Sequence, residues 1–317
     1  LLGLFSALWR LDTAPRTKDV LLAALQTLLT VPGATLCELP LLLTDPSYRS
    51  RIVGQLDDPL GVGPFWAWYD ALSEGERLSV IGPVLNKLRQ FVMRPRVRAI
   101  VGQAQPRLRI DDVLASGKVL LVSLAEGLLG GEAASLLGAL VVAEVWNATL
   151  RRVALPPEER RPVLAVIDEF QRVLRLPTPM PDVFARARGL GLGLVVAHQD
   201  LSQLPKDLQA AVFANCRSRV AYQMSSADAR IVSRELGGVL TPDDLQGIAA
   251  FEAVTQIYAD GTTHPPATIK THPLTPVCAD VEEVRRWSRD AYGVERSAIE
   301  AEIRQRQFGS NDETPVR

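Results

Sequence analysis

The stretch Val163-Leu-Ala-Val-Ile-Asp168-Glu169-Phe170 constrains the chain more than any other. Five apolar residues, mostly β-branched, read as a strand buried on both faces, the kind found inside a parallel sheet. Two adjacent carboxylates close that strand, at the end where open α/β sheets hold their ligands. Such a pair suits nucleotide hydrolysis. The first acid can hold a magnesium ion through water, and the second can orient or deprotonate an attacking water. This is the Walker B pattern. The structural alternative is a strand that ends in two solvated acids before a turn.

Around this strand the chain alternates strand and helix. Strands are expected at Lys118–Leu124, Gly193–Ala197 and Arg219–Met224, and a hairpin at Phe251–Tyr258 and Ala267–Lys270 around Asp260-Gly261. Between them fall helices at Glu132–Val153, Phe170–Leu176 (broken by Pro177 to Pro181), Asp182–Arg188, Leu208–Asn215 and Ser226–Glu235. The first of these is apolar over most of its circumference, so it should be deeply buried. This rhythm implies an α/β fold with a mostly parallel sheet and helices on both faces.

Before residue 110 the grammar is helical. Lys18–Leu29 carries leucine and valine at helical spacing until Pro32-Gly33, and Thr35–Leu43 follows until Asp45-Pro46. A helix from Glu76 to Met93 should be interrupted near Gly82-Pro83. Phe65-Trp66-Ala-Trp68-Tyr69 reads as the anchor of a small helical core, with base stacking as the alternative. Arg89, Arg94, Arg96, Arg98, Arg107 and Arg109 could contact phosphates. Read structurally, they are a solvated helix end whose stems cover apolar surface, a reading favoured by the acids Asp111 and Asp112 that follow. The chain thus divides into an all-helical part (1–110), a strand-bearing core (111–275), and C-terminal helices at 280–292 and 294–307 with a polar tail (276–317).

The 317 residues carry a formal net charge of -1, so no global positive field advertises nucleic acid, and any DNA grip must be local. Cys37, Cys216 and Cys278 lie far apart without metal-ligand spacing, which points to a reducing, cytosolic setting. The opening Leu1–Trp9 is too short to span a bilayer, and the chain reads as a piece of a longer protein.

Consecutive βα units place their strand ends side by side, so Gln199 should come close to Asp168 and Glu169. There it can bond a γ-phosphate or the lytic water. His198, one residue out of phase, should point into the core.

Together Val163–Phe170, Arg186-Ala-Arg188-Gly-Leu-Gly and Val195-Val-Ala-His-Gln199-Asp resemble the second half of the motor domain of the FtsK–HerA superfamily. The likeness is nearest to the type IV secretion coupling proteins, the DNA-pumping ATPases of conjugation. Asn215-Cys-Arg217-Ser-Arg219 and the Asp228-Ala229 helix start also fit that pattern. The resemblance implies a RecA-like (P-loop NTPase type) core, ATP and Mg²⁺ as cofactors, a homo-hexamer, and DNA and relaxosome or secretion-channel proteins as partners. It places the work at the inner face of a bacterial membrane, with any anchor outside this chain. By the same resemblance Asp168 holds Mg²⁺, Glu169 is the base, Gln199 senses the γ-phosphate, and Arg188, with Arg186 as substitute, reaches a neighbouring subunit's nucleotide. Residues 1–110 take the place of the family's helical insert between Walker A and Walker B.

One departure matters. No Gly-x-x-x-x-Gly-Lys-Ser/Thr occurs, and Gly127-Leu-Leu-Gly-Gly131 lacks the lysine and hydroxyl. The simplest expectation is a Walker A segment upstream of Leu1, with a P-loop-less pseudo-ATPase as the alternative. Other readings are a helicase-type motor, a non-catalytic scaffold binding DNA or relaxosome proteins, and a nuclease built on Asp168 and Glu169, for which no third acidic ligand appears.

Overall fold

The computed structural model describes residues 2–9, 11–56, 58, 60–173 and 180–309. The polar tail from 310, and residues 174–179 with the proline break, lie outside the described residues; of the helix expected at 170–176, Phe170–Arg172 form a single 3-10 turn.

The N-terminal part is helical, as expected: α1 (Leu2–Trp9), α2 (Pro15–Thr30), α3 (Leu39–Thr44), α4 (Pro46–Val53), α5 (Val62–Ala71), α6 (Glu74–Val92) and α7 (Pro95–Val101). Local chemistry sets their starts. Thr35 with Glu38, and Ser73 with Glu76, form capping boxes before α3 and α6. Asp45 accepts the Tyr48 N–H at 2.8 Å while Pro46 takes the first turn of α4. The Asp45-Pro46 pair therefore starts a helix as well as stopping one. Pro83 does not interrupt α6; it removes one donor, and the buried Val80, Ile81, Val84 and Leu85 around it keep the turn packed.

This region closes on its own core. Trp66 and Tyr69 are fully buried, with Trp66 Nε1 donating to Thr27 Oγ1 at 2.8 Å and the Tyr69 hydroxyl to the Leu43 carbonyl at 2.9 Å. The aromatic run is thus a core anchor, with only Trp68 turned out at 45% exposure. Arg49, wholly buried, donates to Asp70 Oδ1 from Nε and Nη2 at 2.8 and 2.5 Å and to the Leu42 carbonyl at 2.9 Å. Of the arginines at 89–109, Arg94 holds the Leu129 carbonyl, Arg98 pairs with Glu300 and Arg107 holds the Gly293 carbonyl. These three tie the chain to itself.

Beyond α7 come α8 (Ile110–Ser116), α9 (Glu126–Leu129) and the long α10 (Gly131–Arg151). The first half of α10 packs Ala133, Leu136 and Leu137 into the helical core, while Trp146 belongs to the strand-bearing core. Gly131–Ala154 is long and apolar enough to cross a membrane by composition, but half of that window is buried within the protein, as in a core helix.

Lys118–Leu124 departs from expectation. It forms no regular element and pairs with no strand among the described residues, and Val119 and Leu121 are each 85% exposed. An isolated strand has nowhere to place its N–H and C=O groups, and none of the described residues supplies an edge. Its ends lie near the ends of the central strand, Gly117 against the Arg161 guanidinium and Glu126 in an ion pair with Arg172 at 2.7 Å.

The central strand β1 (Val163–Ile167) crosses over through α11 (Met180–Ala187) to β2 (Leu192–Val196), pairing in parallel from Val163↔Leu192 to Ile167↔Val196. One face of this pair packs on Trp146, Phe170 and Phe184. The other is open, with Leu164 and Val166 66% and 67% exposed. Burial on both faces is therefore not what these residues achieve, because two strands and the described helices cover one side.

After α12 (Lys206–Asn215), β3 (Arg219–Ala221), α13 (Ser226–Glu235) and α14 (Pro242–Gln246) come β4 (Glu252–Gln256), β5 (Tyr258–Ala259), β6 (Thr262–Thr263) and β7 (Ala267–Lys270). These later strands make a separate antiparallel sheet in the order β3-β4-β7, with β5 and β6 forming the hairpin tip. The fold is α/β with a helical N-terminal region, but among the described residues β1–β2 is the one parallel pair. Finally α15 (Val281–Tyr292) lies exposed, whereas α16 (Arg296–Phe308) returns to the helical region. There Ile299 and Ile303 pack on Cys37, and Arg306 reaches Glu38 at 3.1 Å.

Candidate active site

Two hydrogen bonds past the ladder hold the strand ends together. Ala197 N–H donates to the Ile167 carbonyl at 3.0 Å and Phe170 N–H to the Ala197 carbonyl at 3.1 Å. To make this turn Glu169 takes a left-handed backbone (φ 48°, ψ 45°), a conformation costing a non-glycine residue about 1–2 kcal/mol. Phe170 fills the space beneath, fully buried, with its ring 5.8 Å from that of His198. His198 is thus on the core side, as its phase predicts, with a buried Nδ1 lacking a protein partner.

Above this floor the expected residues meet. Gln199 Nε2 donates to Glu169 Oε1 at 2.5 Å. Asp168 lies next to them, exposed, its Oδ1 accepting the Glu169 N–H at 3.0 Å. Two residues that the sequence did not single out complete the group. Gln171 Nε2 donates to Glu169 Oε2 and to Gln203 Oε1, both at 2.5 Å. Gln203 in turn donates to Asp200 at 3.3 Å. Gln171 stands two residues past Glu169 and Gln203 closes the polar run Gln199-Asp-Leu-Ser, but only the tight turn at Glu169 brings them together.

The loop carrying Gln199 and Gln203 is fixed from behind. Asp228, only 7% exposed, accepts the Leu201 N–H at 3.1 Å, and Gln209 donates to the Leu201 and Leu204 carbonyls. Ser225 caps α13 by accepting the Asp228 N–H at 3.3 Å.

Arg188 is elsewhere. It begins the turn before β2, whereas Gln199 follows that strand. Five residues of strand separate the two ends, roughly 16 Å at 3.3 Å per residue. With Asn215, Arg217 and Tyr258 it lines an open cleft of about 930 Å³, where the Arg217 guanidinium stacks 4.6 Å from the Tyr258 ring. Arg186 is exposed on α11.

The exposed Asp168 carboxylate keeps acceptor positions open to solvent, which fits a hydrated Mg²⁺. Among the described residues there is no group of three or more His, Cys, Asp or Glu that could hold a metal ion. A phosphate cradle is also absent from the described residues, since Gly127–Gly131 is spent on α9 and the start of α10.

Residues 162–241, which contain this whole group, match the family model described as the TraM recognition site of TraD and TraG. That segment is similar to the corresponding part of TraD and TraG. Solved structures agree at the level of fold. The bacterial conjugative coupling protein TrwB, in an unbound form lacking its N-terminal segment, superposes with a TM-score of 0.57 at 17% identity, over 85% of this chain and 67% of that one. TrwB in complex with ADP and Mg²⁺ gives 0.59 at 17% identity, and in complex with the ATP analogue ADPNP 0.56 at 16%, with the same coverage. No curated protein sequence matches the chain.

Proposed function

We propose that the chain is the C-terminal portion of a DNA-translocating ATPase that couples ATP hydrolysis to conjugative DNA transfer. The observation that carries this is the contact of Gln199 with Glu169 at 2.5 Å, beside Asp168, at adjoining ends of parallel strands. TrwB structures with ADPNP and with ADP and Mg²⁺ support nucleotide as the ligand of that site. In this reading Asp168 holds Mg²⁺ through water. Held there, the ion would supply positive charge against the negative charge that builds on the phosphate oxygens. Glu169 accepts the proton of the attacking water. Gln199 exchanges its bond to Glu169 for one to the γ-phosphate and passes the change to the loop at Leu201. Arg188, a strand's length from its own acids, serves a neighbouring subunit of a homo-hexamer, where a cation supplied in trans makes hydrolysis depend on assembly.

The phosphate-binding loop comes from outside these 317 residues. The second edge of β2 pairs with no strand among the described residues, and the open face at Leu164 and Val166 is where a further strand and helix would pack. The protein works at the inner face of a bacterial membrane with DNA and relaxosome proteins as partners. A second reading, a non-catalytic scaffold, is favoured by the TraM-recognition description of the matched segment. Hydrolysis assays separate them. A chain extended upstream to include a phosphate loop hydrolyses ATP with Mg²⁺ and is stimulated by DNA, whereas residues 1–317 alone do not. An extended chain that binds relaxosome protein but never hydrolyses ATP supports the scaffold and overturns the motor.

A further inference from the structure

We infer that Gln171 is a positioning residue for Glu169, the standing half of an amide clamp whose exchangeable half is Gln199. The inference rests on the reading of Glu169 as the base. A glutamate side chain has three rotatable bonds, and a base works only if its oxygen is held within hydrogen-bond reach of the proton it takes. Here the two carboxylate oxygens are held separately, Oε1 by Gln199 and Oε2 by Gln171, each at 2.5 Å. Each oxygen has two acceptor directions, so the pair fixes the plane of the carboxylate and leaves one direction on each oxygen free.

The two amides are not equivalent. Gln199 is exposed at a strand end, with Glu169 as its side-chain partner, so it can turn to a phosphate. Gln171 is half-buried and spends both hydrogens of its amide, one on Glu169 and one on Gln203 Oε1, while Gln203 is itself tied to Asp200. When Gln199 leaves, Gln171 keeps hold of the carboxylate. Gln171 Oε1 is buried without a protein partner. That places a vacant acceptor on the same amide that grips the base, suited to a bound water or to a donor entering with the phosphate loop. Gln203 acts on Glu169 only through Gln171.

The test uses the extended, ATP-hydrolysing chain. Gln171→Ala should lower kcat by about tenfold, a modest part of what a positioned base supplies, and leave the Kd for a non-hydrolysable ATP analogue unchanged. A residue that merely braced the turn would move both. Gln203→Ala should lower kcat about threefold in the parent and have no effect in the Gln171→Ala background, as expected for residues acting in series. A Gln171→Ala variant with kcat within twofold of the parent, while Glu169→Gln abolishes turnover, overturns the clamp and leaves the base assignment standing. Glu169→Gln hydrolysing at the parent rate removes the base assignment itself. Should Gln171→Ala fail to fold, the exposed Gln203→Ala decides alone, and an unchanged kcat there refutes the inference.

Discussion

In the helical region Leu21, Leu39, Leu42 and Tyr69 are completely buried, whereas on the paired strands Leu164 and Val166 stand two-thirds exposed. Both regions are rich in apolar residues, so composition does not explain the difference. A helix closes its hydrogen bonds within itself, and α1–α7 with the first half of α10 cover one another's apolar stripes. A strand must find its neighbours elsewhere in the chain. Among the described residues each strand of the β1–β2 pair has one neighbour, and the segment 118–124 has none. Among the described residues the helical region covers its apolar side chains, and the Leu164–Val166 face of the β1–β2 pair stays open.

The largest effect that could break this contrast concerns Arg49. Its guanidinium is buried, held by Asp70 and the Leu42 carbonyl, and stacked near Trp66 and Tyr69 at 5.8 and 5.0 Å. Arg49→Ala empties a buried site and leaves the Leu42 carbonyl without its donor, while the half-exposed Asp70 turns to water, and it should cost about 2–4 kcal/mol in denaturant unfolding. A loss below about 1 kcal/mol would mean that the helical core is looser than described. Next, Asp228→Ala strips the buried Leu201 N–H of its acceptor and should cost about 1–3 kcal/mol, with faster amide exchange at Leu201. Unchanged exchange there would show that the Gln199 loop is fixed by other means.

Alkaline pH should single out the helical region. Burial pushes the Cys37 thiol up to about 11 and the Tyr48 and Tyr69 hydroxyls up to about 12. Below about pH 7.5 all three are protonated in both folded and unfolded chains, and they leave stability independent of pH. Between about 8 and 12, first at Cys37 and then at the tyrosines, the unfolded chain releases protons that the folded chain keeps, so stability falls as pH rises. Unfolding midpoints at pH 8 and 10.5 check this, and equal values would contradict it. The smallest effect is the sharpest for the comparison. Leu164→Ser should change the stability of residues 1–317 by less than about 0.5 kcal/mol, but by about 2 kcal/mol or more in the extended chain that covers the face. Equal effects in both would show the face is never covered.

How much of this was legible in the residues follows the same division. The leucine spacing of α2 is a local signal, and it marked its helix. Val163–Ile167 and Lys118–Leu124 both read as strands and only the first is one, because apolar content is local while pairing is not. Asp168, Glu169 and Gln199 could be brought together from sequence, since a βα crossover aligns strand ends whatever the remaining contacts. Gln171 and Gln203 could not, because their meeting depends on the left-handed backbone of Glu169, a residue type that carries no signal for that conformation. Arg188 was expected to act at a neighbouring subunit, and the register of β1 and β2 fixes only how far it stands from its own acids.

The most direct measurement is the rate of Mg²⁺-dependent ATP hydrolysis by Glu169→Gln in the extended chain. The substitution keeps shape and burial but removes the proton acceptor. A fall of roughly a hundredfold or more, with nucleotide still bound, is what a positioned base predicts. Turnover at the parent rate would mean that Glu169, held by its amides at the end of β1, is part of the scaffold and not of the chemistry.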